Sequence, residues 1–84
     1  MKHLFVDIGI GILEPEKIRQ YIEDLDGTFE GEWHVSLIAN KDQLSWTLKL
    51  MSKSGKMHQL DLSEEQQNEY RIQIALLALK SKLE

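Results

Sequence analysis

Eighty-four residues and 9.8 kDa suit one domain, since roughly 100–200 residues per domain is usual. Ten Lys and Arg against fourteen Asp and Glu give a net charge of -4, which argues against binding nucleic acid mainly by neutralising phosphates. With no cysteine, a disulfide framework, a thiolate zinc site and a thiol nucleophile are excluded, and the fold must rest on its apolar core.

The N-terminus alternates. Leu4, Val6, Ile8, Ile10 and Ile12 fall on one side of a period-two pattern, which predicts a strand over the first twelve residues. Gly9 and Gly11 on its other side suggest a bulge or a close backbone approach. They resemble half of a phosphate-binding glycine loop, but the third glycine is missing and Glu14 would repel an anion. No secretory leader is legible, and no stretch approaches the ~18 apolar residues of a membrane span. A cytoplasmic location without membrane association is therefore expected.

Glu14-Pro15-Glu16 opens a helix, with Pro15 at its first position and acids at the positive end of the dipole. Ile18, Tyr21, Ile22 and Leu25 make one apolar stripe. Asp26-Gly27 is expected to end this helix of about eleven residues with a left-handed glycine.

From Thr28 to Leu62 the pattern is a three-stranded meander. A two-residue turn at Lys41-Asp42 would set Leu37 opposite Trp46, Val35 opposite Leu48, Trp33 opposite Leu50 and His34 beside Lys49. A three-residue loop, Lys53-Ser54-Gly55 with Gly55 left-handed, would set Leu48 opposite Leu60 and Trp46 opposite Leu62. Both registers gather the same apolar face, and both tryptophans are read as core.

Ser63-Glu64-Glu65-Gln66 has the capping-box pattern of a last helix running to about Leu83. That helix is apolar on two sides, with Tyr70, Ile74, Leu77 and Ala78 on one and Ile72, Ala75, Leu76, Leu79 and Leu83 on the other. The expected fold is α+β, a two-layer sandwich in the order β-α-β-β-β-α, with a mainly antiparallel sheet and both helices on one face.

The polar sheet face should carry His34, Ser36, Thr47, Lys49, Gln59 and Asp61. A Ser-His-Asp triad is conceivable there, but two-residue and two-strand separations of ~7 and ~10 Å exceed the hydrogen-bond contacts a triad requires. Lys49 bonded across strands to Gln59 or Asp61 on a solvated face is the better reading. His3, His34 and His58 have no metal-ligand spacing, and His58 points toward the core face opposite Leu50. Neither a cofactor nor a metal is expected.

The order helix, meander, helix has the layout of a double-stranded RNA-binding domain, but such domains present lysines where this chain has Ser63-Glu64-Glu65-Gln66. No family membership follows. The leading expectation is a non-catalytic regulatory or protein-interaction domain acting as a homodimer or with another protein. Ile72, Leu76, Leu79 and Leu83 are its candidate contact, and Met51 and Met57 a weaker one. The alternatives are a nucleic-acid module, using Lys49, Lys53 and Lys56, and an enzyme or small-ligand carrier, the enzyme only if a pocket gathers His58 with Tyr21 or Tyr70.

Overall fold

Four β-branched or leucine-rich segments with period-two burial line up as one sheet, and the computed structural model describes them within residues 1–41 and 44–84. The strands are β1 (Leu4–Ile8), β2 (Trp33–Asn40), β3 (Ser45–Ser52) and β4 (Met57–Leu62), in the spatial order β1-β2-β3-β4. β1 runs parallel to β2 and the other neighbours are antiparallel. The helices are α1 (Pro15–Glu23) and α2 (Glu69–Leu83), and 3-10 turns occupy Asp26–Thr28 and Glu64–Gln66. The fold is α+β, as the patterning predicts.

Leu4, Val35, Leu37, Leu48, Leu50 and Leu62 share one sheet face and form a single buried cluster with Ile18 and Ile22 of α1 and Ile72, Leu76 and Leu79 of α2. α2 packs on β3 and β4, α1 packs on β1, and the helices touch each other. Two polar contacts fix these positions: Arg19 donates to the Val6 carbonyl at 2.7 Å, and Gln73 donates to the Tyr21 carbonyl at 2.9 Å. Trp33 is buried, while Trp46 and Leu60 are half-buried against the same core. Phe29, which the pattern did not single out, is fully buried and meets Trp33 edge-on with ring centres 5.6 Å apart.

Several local expectations are corrected. β1 stops at Ile8 instead of reaching Ile12. The Gly9 N–H still donates to the Leu37 carbonyl at 2.8 Å, and a Cβ at Gly9 would stand only 3.1 Å from that oxygen. Glycine thus permits the close approach, and Gly11 at φ 99° then turns the chain, leaving Ile12 buried and Ile10 exposed. Gly27 is not left-handed. After α1 the chain tightens into the Asp26–Thr28 turn, which aims the Asp26 carboxylate at β1.

The first hairpin register is displaced by two residues. Leu37 faces Leu48, Val35 faces Leu50, Ala39 faces Trp46, and Ser36, not His34, stands beside Lys49. Pairing ends at Asn40 and Ser45, so the connection is longer than the expected Lys41-Asp42 turn, of which Asp42 lies outside the described residues. An even slip leaves every side chain on its face, which is why the core composition survives the change. The second register matches, with Leu48 opposite Leu60, Trp46 opposite Leu62 and Gly55 left-handed at φ 93°.

The Ser63-Gln66 box is present, with the Ser63 N–H donating to Gln66 Oε1 at 3.0 Å. It closes the Glu64–Gln66 turn and not the last helix. α2 begins at Glu69 under its own cap, Asn68, whose side-chain oxygen accepts from the Arg71 N–H at 3.0 Å. No helix among the described residues is long and apolar enough to cross a membrane.

Candidate functional site

Strand register orders the open sheet face into three rows. Phe5, His34, Met51 and Met57 form the first, Asp7, Ser36, Lys49 and Gln59 the second, and Ile38, Thr47 and Asp61 the third. The first row is soft and largely apolar, with the His34 ring stacked on Phe5 at 5.4 Å and its Nε2 3.2 Å from the Glu32 carboxylate. In the third, the Thr47 hydroxyl donates to Asp61 at 2.8 Å and accepts from the Asn40 amide at 2.8 Å. Asp61 therefore pairs with Thr47, where Lys49 was expected. His34, Ser36 and Asp61 fall in three different rows, so the structure does not bring the conceivable triad together.

The histidines are dispersed. His3 Nδ1 lies 2.8 Å from the Gly31 carbonyl oxygen, His34 stands on the open face, and His58 is exposed on β4 beyond the core. No group of three His, Asp or Glu positioned to hold a metal ion occurs among the described residues.

One carboxylate departs from its ordinary behaviour. Asp26 Oδ1 accepts from the backbone N–H groups of Leu4 and His3, both at 2.7 Å. The Leu4 N–H above all, then that of His3 and the positive charges of His3 and the N-terminus, hold its carboxyl below the usual carboxylate value, against partial burial acting the other way. This pins the start of β1 to the turn after α1, a structural use of charge.

α2 settles which of its two apolar stripes faces inward. Ile72, Leu76 and Leu79 are enclosed in the core and Leu83 is half-buried. The stripe expected to meet a partner is thus the one that covers the sheet, because it aligns with the buried rows of β3 and β4. The outward stripe is Tyr70, Ile74 and Leu77, with Tyr70 68% exposed and the Arg71 guanidinium 5.9 Å from its ring centre.

A site that periodicity could not locate lies at the end of the sheet where β1 and β2 finish and β3 begins. There the loop after β1, Lys41 and Leu44 from the β2–β3 connection, and the turn before α2 line an open cavity of about 410 Å3. Trp46 and Ala39 form apolar wall, and Ile10, Leu13 and Leu44 stand around it at 100%, 83% and 70% exposure. Leu44 is held left-handed at φ 53°, and Glu14, next to Leu13, has the same φ. For residues with a Cβ such backbone costs about 1–3 kcal/mol each and persists only where neighbours enforce it. At Leu44 the neighbour is Gln67, whose amide donates to the Leu44 carbonyl at 3.0 Å and to that of Leu62 at 3.3 Å. Sequence offered two weak signals: large aliphatics beside loop residues, and a hairpin connection without glycine.

Comparison of the chain with protein-family models, with curated proteins and with solved structures finds no match.

Proposed function

We propose that this protein is a small interaction domain that works by contact and has no reaction of its own, with a second copy of the chain as its first partner. The observation that carries this reading is the outward stripe of α2, where Tyr70, Ile74 and Leu77 stay exposed although the opposite stripe already covers the sheet. Spaced i, i+4, i+7, they form one continuous seam, and a two-fold axis lets that seam meet itself. Three such side chains expose roughly a few hundred Å2, less than the ~800 Å2 per partner of a standard interface, so the dimer is reversible and concentration-dependent. Met51 and Met57, neighbours across β3 and β4 on the open face, offer adaptable apolar contact to another protein.

Sedimentation equilibrium over a wide concentration range tests the dimer. The expected result is a mass rising from monomer toward dimer in the wild type and staying at monomer in Ile74→Glu, with unchanged circular dichroism because Ile74 is exposed. A wild-type chain that stays monomeric at millimolar concentration contradicts the proposal. A second reading, a carrier or sensor of a small ligand, is favoured by the cavity ringed by Ile10, Leu13 and Leu44.

A further inference from the structure

Three large aliphatic side chains converge on one cavity yet are 70–100% exposed, an arrangement that leaves apolar surface in water unless something covers it. The same cavity holds the left-handed Leu44 and adjoins the left-handed Glu14. Strain of this kind clusters where a binding geometry is pre-set. Here the chain spends stability where three large aliphatic residues also lack cover, and the two costs share an explanation if the site has a ligand.

Size and chemistry narrow the ligand. An apolar cavity of roughly 150 Å3 accepts benzene, and about 410 Å3 is roughly two to three times that, which suits a fused bicyclic ring better than a monocycle. Trp46 provides an aromatic surface against which such a ring packs offset or edge-on. Lys41 and Glu64 both line the cavity and carry opposite charges, so a singly charged ligand meets repulsion along with attraction. Gln67 also lines it, and its amide nitrogen is committed to the carbonyls of Leu44 and Leu62. What Gln67 can offer is its side-chain carbonyl, an acceptor.

We infer that the cavity bounded by Ile10, Leu13, Leu44, Trp46 and Gln67 binds a small uncharged bicyclic aromatic molecule bearing one N–H or O–H donor, stacked against Trp46 with its donor on the Gln67 carbonyl. The reading is independent of self-association, because α2's outward stripe contributes nothing to the cavity lining.

Indole is the probe, titrated into the full chain and followed by amide and indole N–H shifts in nitrogen-15 spectra. Saturable shifts are expected for Gly11, for residues 39–41 and 44–46, for Gln67 and for the Trp46 side-chain N–H. The Trp33 side-chain N–H, which donates to the Glu30 carbonyl at 2.7 Å at the opposite end of the sheet, should stay still. Leu13→Asp, at an exposed position that leaves the fold intact, should weaken binding at least about tenfold by removing one apolar wall. N-methylindole should bind about two- to tenfold more weakly for loss of its donor. Shifts that never saturate, that spread to Phe5, Met51 and Met57, or that are the same in Leu13→Asp overturn the site. Equal affinity for indole and N-methylindole overturns the assignment of a donor to Gln67.

Discussion

The two ends of the sheet are built to opposite rules. At the end where β1 and β2 start, backbone and aromatic groups are tied down. Asp26 takes up the N–H groups of His3 and Leu4, Phe29 packs edge-on to Trp33, and the β3–β4 connection turns on Gly55, for which φ 93° carries no Cβ penalty. At the end where they finish, the β2–β3 connection puts a leucine at φ 53°, and Ile10, Leu13 and Leu44 stand in water around a cavity. β3 belongs to both ends and shows the contrast within one strand: relaxed glycine after it, strained leucine before it. One end turns on relaxed glycine and paired backbone groups, and the other holds a strained leucine beside exposed aliphatic side chains.

The largest test of that contrast is a pair of truncations. Phe29→Ala at the closed end should cost about 3–5 kcal/mol, because it empties a fully buried aromatic site, whereas Leu13→Ala at the open end should change stability by no more than ~0.5 kcal/mol. Urea unfolding of both variants reads the difference, and similar midpoints would erase the distinction. Next in size is Gly55→Ala. It forces a Cβ into the left-handed region and should destabilise by about 1–2 kcal/mol, measurable as a lower thermal midpoint.

Acid should loosen the closed end first. The folded Asp26 carboxyl titrates below its unfolded value, so the carboxylate's contribution is fully present above about pH 4, the ordinary Asp value, and is lost as pH falls through the lower folded value. Amide exchange at Leu4 should therefore accelerate in acid more than exchange at Gly55, whose N–H bonds Ser52. Asp26→Asn, which cannot ionise, should remove that pH step from the Leu4 amide. The smallest effect is expected from His34→Ala on the open face, within ~0.5 kcal/mol in urea unfolding.

How much of this was legible in the sequence follows the same division. The β3–β4 register could be read to the residue because Gly55 announces its own conformation. Between β2 and β3 no glycine marks the turn, and the expected pairing slipped by two. The apolar face was still identified correctly, since a strand's period of two makes even slips invisible to it. α2 was ambiguous for another reason. Both its stripes are aliphatic, and periodicity says that two faces exist but not which one meets the sheet; only the alignment of Ile72, Leu76 and Leu79 with β3 and β4 decides. Ser63-Gln66 signalled a cap correctly and the wrong element, because Asn68 supplies a second cap five residues on. The cavity left only weak signs in the sequence, large aliphatics beside loop residues and a connection without glycine. It joins loops from three separated parts of the chain, and its main sign, a positive φ at Leu44, has no signature in residue type.

One substitution bears on the whole contrast. Leu44→Gly removes both the strained backbone and a wall of the cavity, leaving the Gln67 bond to the residue 44 carbonyl possible. Urea unfolding and indole titration of this single variant give a paired result. A stability gain of about 1 kcal/mol is expected together with weakened indole binding. A variant that is less stable than the wild type, or that binds indole as tightly, would contradict this expectation.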